Sequence, residues 1–201
     1  MIKTVMLDMG NVIVPVDFRR CHAALAAVCS YPLHEIRKRI RLTGLPERFE
    51  CGQISPVEFF RELSSIFDMR VSFVEFWDIW SNVFGLEPLL PESLLEALCR
   101  QQRLLLLSNT NSVHFEWLRQ RYSLLRHFHG YILSFEVGAL KPAPRIYQEA
   151  IARAGCCPEE CFFADDDASN VEGAKREGID AVQFQSREQL EADLRMRGIH
   201  W

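Results

Sequence analysis

The sequence has no excess of positive charge. Its 201 residues include 23 Lys and Arg against 27 Asp and Glu, which gives a formal net charge of -4 at pH 7. Proteins that hold nucleic acid or anionic membrane regardless of sequence use a surplus of Lys and Arg. The composition therefore argues against nucleic acid and membrane as partners, and it favours a small molecule.

The sequence also lacks a long hydrophobic run, a recognisable secretory leader, internal repeats and low-complexity tracts. The first apolar run, Ile2–Leu7, is much too short to cross a membrane. Seven cysteines, an odd number, are scattered through apolar segments, as is usual in the reducing cytoplasm. With 48% hydrophobic and 25% charged residues, we expect a soluble cytoplasmic protein of one domain with a moderate insertion.

Three of the cysteines, Cys156, Cys157 and Cys161, lie close together along the chain. Adjacent cysteines lack the spacing of zinc ligands, and no histidine is near them in the sequence. We therefore interpret this stretch as the end of a helix, a turn through Pro158 and the start of a strand, and not as a metal site.

Short apolar runs alternate with helical patterns along most of the chain. Strands alternating with helices at this spacing imply right-handed crossovers and a doubly wound parallel sheet, so the predicted fold class is α/β. The expected strands are Ile2–Leu7, Leu104–Leu107, Tyr131–Leu133, Phe162–Ala164 and Ala181–Phe184. We expect the sheet to belong to a core domain formed by residues 1–15 and 86–201.

Residues 16–85 differ, because nearly every periodic segment among them has a helical pattern. Asp17, Ser55 and Ser72 each suit the start of a helix, and the first helix is expected to continue to about Tyr31. Aromatic residues recur at helical spacing along two of these segments, and we interpret them as a core. The insertion is thus predicted to be a small helical bundle.

Polar side chains follow four of the predicted strands. Asp8 follows the first strand, Ser108–Asn109 the second, Lys141 the third and Asp165–Asp166 the fourth. Asp8 alone is as easily a turn residue, but ligands of open parallel sheets bind at the carboxyl ends of strands. Three carboxylates together repel one another and favour a divalent cation, most naturally Mg²⁺. The hydroxyl, amide and ammonium donors suit a phosphoryl group that shares the metal.

These residues occur in the order and spacing of four known motifs. The chain resembles the haloacid dehalogenase superfamily of phosphohydrolases, with motifs at Asp8–Val12, Ser108–Asn109, Lys141–Pro142 and Asp165–Asn170. The resemblance covers essentially the whole chain and implies a Rossmann-like core with a helical cap, here residues 16–85. Within the superfamily, the motifs are most similar to the bacterial branch that includes a glucose-1-phosphate phosphatase.

The resemblance implies roles in catalysis and substrate binding. Asp8 is expected to attack phosphorus and form an aspartyl-phosphate, with Lys141 and Ser108 as further catalytic residues. Ser108, Asn109, Asn11 and Lys141 are expected to bind the substrate, chiefly through the oxygens of the phosphoryl group. The substrate is expected to be a small phosphorylated metabolite, such as a sugar phosphate.

The resemblance also implies a metal site. Mg²⁺ is expected to be held by Asp8, Asp166, Asp165 and the backbone carbonyl of Gly10. In that position the cation screens the approach of an anionic nucleophile to an anionic substrate.

One position departs from the family pattern, because Gly10 stands where the phosphatases usually carry a second Asp. That Asp acts as general acid and base, a role typically worth about 10²- to 10⁴-fold in rate. The substrate would then have a good leaving group, such as an anomeric sugar oxygen, or else water or Asp17 would supply the proton. We favour a helix cap as the role of Asp17.

Two alternative functions are left open by this departure. A haloacid dehalogenase also lacks the second Asp, but it works without metal, so the pair Asp165–Asp166 favours a phosphatase. The other alternative is a catalytically weak or inactive protein that keeps the pocket to bind phosphoesters.

Substrate specificity is expected to come from the inside of the cap. Arg48 and Glu50 interrupt two helical segments near a predicted turn and are therefore candidates, although we favour the interpretation that they are solvated loop charges. The six histidines show no pairing with a nucleophile, and we interpret them as surface or satisfied core residues.

Overall fold

The computed structural model describes residues 1–200, and within them five parallel strands form one open sheet in the order β3-β2-β1-β4-β5. The strands are β1 (Thr4–Leu7), β2 (Arg103–Ser108), β3 (Gly130–Leu133), β4 (Cys161–Asp165) and β5 (Asp180–Gln183). The predicted α/β class and all five predicted strands are confirmed, with shifts of a few residues at their ends.

The strand order reverses beside β1. The chain runs outward from β1 through β2 to β3, then returns to the other side of β1 for β4 and β5. Met6 pairs with Leu105 on one side and with Phe163 on the other. A crevice at such a reversal, outside the carboxyl ends of the strands, is where ligands bind in open parallel sheets.

Residues 16–85 contain helices. The structure has α1 (Phe18–Ala26), α2 (Leu33–Thr43), α3 (Leu45–Glu50), α4 (Pro56–Phe67) and α5 (Phe73–Ser81). The three predicted helix starts are confirmed: Asp17 accepts a hydrogen bond from the Arg19 backbone, and Ser55 and Ser72 each form a capping box.

Two expectations for this segment are wrong. The first helix ends at Ala26 and does not reach Tyr31. The stretch that carries Arg48 and Glu50 is not a loop, because it forms α3. Six residues are fewer than two helical turns, so α3 shows no hydrophobic period that could have predicted it.

An aromatic cluster holds these helices together. The Phe59 ring lies 4.6 Å from that of Phe49 on α3 and 4.9 Å from that of Trp80 on α5. Phe76 and Trp77 pack beside them, with ring centroids 4.9 Å apart. The aromatic residues are thus core, as predicted.

The remaining helices lie after these five. They are α6 (Glu92–Gln101), α7 (Ser112–Arg121), α8 (Ser134–Val137), α9 (Pro144–Ala154), α10 (Ala168–Arg176) and α11 (Arg187–Met196). Between residues 1 and 200, no helix is both long and apolar enough to pass through a membrane.

The cysteine-rich stretch has the conformation expected from its sequence. A short 3-10 helix, Pro158–Glu160, separates Cys157 from β4, which begins at Cys161. All seven cysteines are free thiols in the structure.

Gly52 packs the end of α3 against the segment after β3. Its φ is +65°, and a Cβ at this position would overlap the Phe135 carbonyl oxygen, in the backbone of α8. Gly44, at the other end of α3, has nearly the same φ, +64°, but no atom lies within 4 Å of the Cβ position. The two glycines therefore differ in contact and not in conformation.

We predict that Gly52→Ala destabilises the protein more than Gly44→Ala. Both variants place a Cβ in a left-handed conformation, which costs about 1–2 kcal/mol. Only Gly52→Ala adds a backbone clash, and overpacking of this kind costs typically about 1–3 kcal/mol more. Urea unfolding of both variants measures the difference. Equal decreases in the free energy of unfolding would contradict the predicted clash with the Phe135 carbonyl.

His114 joins α5 to α7. Its ring is buried, with Nε2 3.2 Å from the Trp80 carbonyl oxygen and Nδ1 3.1 Å from the Asn111 side-chain nitrogen. Burial lowers the pKa of His114 to about 4, although the Trp80 carbonyl opposes the shift. His114 is thus a satisfied core histidine, in agreement with the sequence interpretation.

This lowered pKa predicts how stability depends on pH. An unfolded histidine titrates near pH 6.5, so between about pH 6.5 and 4 the unfolded chain binds a proton that folded His114 does not. The free energy of unfolding should therefore fall by about 3 kcal/mol as pH drops through this window. His114→Gln should remove this part of the pH dependence, and His34→Gln, on an exposed residue, should not. Unchanged pH dependence in His114→Gln would contradict the assignment.

Candidate active site

A buried ammonium lies at the carboxyl ends of the central strands. The Lys141 Nζ atom is 2.8 Å from Asp8 Oδ1, 2.5 Å from Asp165 Oδ2 and 2.9 Å from the Leu107 carbonyl oxygen. The Lys141 side chain is 1% exposed. Its three hydrogen-bond donors are therefore all used, two of them by carboxylates of opposite charge.

Asp8, Leu107 and Asp165 reach Lys141 because three neighbouring strands end at the same height. Asp8 directly follows β1, and its backbone N–H donates to the Ala164 carbonyl of β4 at 3.0 Å. Leu107 lies in β2 and Asp165 ends β4. The sheet therefore sets the positions of the two carboxylates.

Asn109 fixes the backbone of Lys141. Its side-chain oxygen accepts from the Lys141 N–H at 2.8 Å, and its side-chain nitrogen donates to the Lys141 carbonyl at 3.0 Å. The neighbouring Ser108 hydroxyl is buried and has only a long contact of 3.5 Å, to the Asn109 carbonyl. The Asn109 amide thus holds Lys141, while the Ser108 hydroxyl can still bind another group.

The two acids of the fourth motif have different surroundings. Both oxygens of Asp165 are occupied, because they accept from the Asp167 N–H, from the Asn170 side chain and from Lys141. Asp166 is only half-buried, and its Oδ2 accepts from the Asn11 side chain at 3.0 Å. Asp165 is therefore the more rigidly held acid, and Asp166 the more open one.

Asp8, Asp165 and Asp166 form a cluster that suits a divalent cation. Each offers a carboxylate oxygen, and these oxygens lie within 4.8 Å of one another. Among residues 1–200, no group donates a hydrogen bond to the nearby Gly10 carbonyl. Carboxylate and carbonyl oxygens are the ligands that Mg²⁺ prefers, so the residues present fit this ion.

The electrostatics of the cluster also favour a cation. The pKa of Asp8 is raised to about 6, chiefly by burial and also by the Asp165 carboxylate, while Lys141 lowers it in part. Burial likewise raises the pKa of Asp166. Burial alone would lower the pKa of Lys141, but Asp8 and Asp165 outweigh it and raise that pKa. One ammonium thus offsets only part of the negative charge of three acids.

The structure separates the other candidates from this cluster. Asp17 accepts from the Arg19 guanidinium at 2.8 and 2.9 Å, and this contact lowers the pKa of Asp17. Asp17 is therefore a helix cap, as favoured from the sequence. Arg48 is an exposed charge 3.5 Å from Glu62, which confirms its interpretation as solvated.

Asn170 has a part in the site that the sequence did not reveal, and Glu50 has other surroundings than the sequence predicted. Asn170, on the first turn of α10, holds Asp165 through its side chain. The position of Asn170 at the end of the fourth motif could have indicated this role. Glu50 is half-buried, and its burial raises its pKa to about 7, so it is not a solvated loop charge.

Comparison with known proteins identifies the family. The profile described as haloacid dehalogenase-like hydrolase matches residues 2–178. The chain belongs to this family. It is similar to a protein of Bacteroides thetaiotaomicron named D-ribitol-5-phosphate phosphatase, with 26% identity over 189 residues that cover 91% of this chain and 92% of the relative.

Solved structures of haloacid dehalogenase enzymes share the fold. One from Bacteroides thetaiotaomicron, a complex with magnesium and inorganic phosphate, has a TM-score of 0.85 and 27% identity, covering 93% of this chain and 96% of that one. L-2-haloacid dehalogenase from Xanthobacter autotrophicus has a TM-score of 0.64 and 19% identity, covering 98% of this chain and 83% of that one, which shows the fold alone. The family and fold predicted from the sequence are confirmed.

The ion pairs of this hydrolase predict a large effect for Lys141→Met. The variant leaves Asp8 and Asp165 buried without their cation, and breaking a buried pair in this way costs about 3–5 kcal/mol. The matched control is Lys175→Met, because Lys175 is half-exposed and pairs with Glu172 on the protein surface. The control should change the free energy of unfolding by less than about 1 kcal/mol. Chemical denaturation without divalent ions measures the free energy of unfolding of both variants. A similar decrease in the two variants would contradict the prediction.

Proposed function

We propose that the protein is a Mg²⁺-dependent phosphatase that hydrolyses small phosphate monoesters through phosphorylated Asp8. The observation that carries the proposal is the cluster of Asp8, Asp165 and Asp166 around buried Lys141. A carboxylate nucleophile, an ammonium and further acids at one strand edge are the groups that phosphoryl transfer requires.

Each residue of the cluster has a task in this mechanism. Asp8 attacks phosphorus, and the ester oxygen leaves with the electron pair of its bond to phosphorus. Asp8 gives up its contact with Lys141 as it attacks, so Lys141 and the free Ser108 hydroxyl bind phosphoryl oxygens, where negative charge is concentrated in the transition state. Asn109 acts through its hold on the Lys141 backbone. Water then hydrolyses the aspartyl-phosphate and restores Asp8.

Asp8, Asp166 and the Gly10 carbonyl would hold Mg²⁺, and Asn11 orients Asp166. When bound, the ion would supply positive charge that lessens the repulsion of an anionic nucleophile and an anionic substrate. Asp165 completes the acidic cluster. Because both of its oxygens already accept hydrogen bonds, we assign it mainly to the positioning of Lys141.

We further propose that residues 16–85 form a cap over a core of residues 1–15 and 86–201. The contact of Gly52 with Phe135 supports this division, because it places the end of α3 at the segment that follows β3. A sugar or polyol phosphate is the substrate class to test first. The relative named D-ribitol-5-phosphate phosphatase supports that choice, since the similarity spans nearly the whole length of both chains.

Gly10 favours a second candidate function, which is a phosphoester-binding protein with weak or no catalysis. The position lacks the carboxyl group that the family's phosphatases carry there. Such a protein would keep the phosphoryl contacts of Lys141 and Ser108 without turnover.

The decisive experiment is a phosphate-release assay on a panel of sugar, polyol and aryl phosphates, with Mg²⁺ or with EDTA. Wild-type protein should release phosphate only with Mg²⁺, and Asp8→Asn should lower the rate at least about 10³-fold because the nucleophile is lost. Asp17→Asn is the matched control, since that acid lies outside the cluster, and it should keep most of the activity.

Three other outcomes would contradict the proposal. Phosphate release that is equal with EDTA would exclude the metal. Tight binding of a phosphate mimic without turnover would support the binding protein. Metal-independent release of halide from a chloroalkanoic acid would indicate a dehalogenase.

A further inference from the structure

Two cysteines between α9 and β4 are in contact, far from the proposed phosphatase site. The sulfur atoms of Cys156 and Cys161 are 3.5 Å apart. Cys161 begins β4, whereas Asp165 of the acidic cluster ends that strand. The sulfur atoms of a disulfide bond are about 2.05 Å apart, so a movement of about 1.5 Å would join these two. This pair of thiols has no task in the proposed mechanism.

Neighbouring residues hold the two sulfur atoms in contact. Thr4 of β1 pairs with Cys161 in the sheet, and the Thr4 hydroxyl lies 3.5 Å from the Cys156 sulfur. The Cys161 thiol also donates to the Cys157 carbonyl oxygen at 3.6 Å. One short 3-10 helix separates Cys157 from Cys161, so a disulfide here would close only a small loop. The contact therefore follows from the register of the sheet and from the turn before β4.

The two thiols differ in their access to solvent. The Cys161 side chain is fully buried, and burial raises the pKa of its thiol. Cys156 is only half-buried. The pKa of Lys3 is raised chiefly by its ion pair with Glu160 and also by Cys156, which places the Lys3 ammonium near the Cys156 thiol. Accessible thiols beside a cation are the reactive ones, so an oxidant in solution attacks Cys156 before Cys161.

We propose that Cys156 and Cys161 form a redox-active thiol pair, which hydrogen peroxide closes to a disulfide bond. The Cys156 sulfur attacks one peroxide oxygen, the O–O bond breaks, and the leaving hydroxide takes the Cys156 thiol proton to become water. Cys156 is then a sulfenic acid. The Cys161 sulfur attacks the Cys156 sulfur, the S–O bond breaks, and the leaving hydroxide takes the Cys161 proton. Two thiols are oxidised, and one peroxide is reduced to two water molecules.

The pair keeps the oxidation of this segment reversible. A sulfenic acid that meets more peroxide becomes a sulfinic acid, which thiols do not reduce, whereas a disulfide is reopened by thiol exchange. Cys161 removes the sulfenic acid before that second oxidation. The disulfide forms at the amino end of β4, so the Asp8 cluster at the opposite edge of the sheet stays intact.

The test treats the folded, reduced protein with hydrogen peroxide, then unfolds it and alkylates the remaining thiols. Digestion with a protease that cleaves after Glu separates Cys161 from Cys156 and Cys157, because Glu159 and Glu160 lie between them. A disulfide to Cys161 therefore joins two peptides, which mass spectrometry detects. The wild-type protein should give the joined peptides, and dithiothreitol should separate them.

Two serine variants identify the partner of Cys161. Cys156→Ser should abolish the joined peptides. The matched control is Cys157→Ser, which removes the adjacent and more exposed thiol, and it should retain them. Circular dichroism checks that both variants are folded.

Cys161→Ala tests the protective role, in a chain that also carries Cys157→Ser. Without a second thiol in contact, Cys156 should accumulate as sulfinic acid in excess peroxide, and dithiothreitol should not recover it. In Cys157→Ser alone, dithiothreitol should recover Cys156 as a free thiol. Equal amounts of sulfinic acid in the two chains would refute the protection.

Several results would overturn the pairing itself. They are a free Cys161 thiol after Cys156 has been oxidised, no oxidation of either thiol, a bond from Cys161 to Cys157, and a disulfide between two molecules on a non-reducing gel. None of these measurements uses phosphatase activity, so the inference and the proposed function stand or fail separately.

Discussion

One buried cation between two buried carboxylates is the constraint on which the rest of the structure depends. Lys141, Asp8 and Asp165 are almost fully withdrawn from water, and each of these charges would be costly to bury alone. The ion pairs offset that cost only while the ends of β1, β2 and β4 hold the groups in contact. The order of the sheet meets this requirement, because β1 lies between β2 and β4 and all three run in the same direction.

The same constraint accounts for a division of the chemistry between two parts of the chain. The strand ends carry the nucleophile Asp8, the ammonium group of Lys141 and two further acids, Asp165 and Asp166. Gly10 contributes only its backbone. Residues 16–85 are packed against the same edge through Gly52 and through the contact of Trp80 with His114. We propose that the strand ends carry out phosphoryl transfer and that the helical segment contributes to the selection of substrate.

Much of this arrangement could be predicted from the sequence, because it depends on short-range patterns. The apolar runs before Asp8, Ser108 and Asp165 predict the strands, and parallel order then brings their polar ends together. What could not be predicted depends on contacts between distant residues. Examples are the hold of Asn109 on Lys141, the use of both Asp165 oxygens by Asn170 and Lys141, and the packing of Gly52 on Phe135. Helix α3 was missed because six residues show no helical period, and with it the burial of Glu50 was missed.

Phosphorylation of Asp8 during turnover, on which the proposed function depends, can be observed by rapid quenching. Protein mixed with a phosphate ester and Mg²⁺ is quenched in acid within milliseconds, digested, and analysed by mass spectrometry. If Asp8 is the nucleophile, one added phosphoryl group is expected on Asp8, and it should disappear as substrate is exhausted. Phosphate release without any modified Asp8, or a phosphoryl group on another residue, would contradict it.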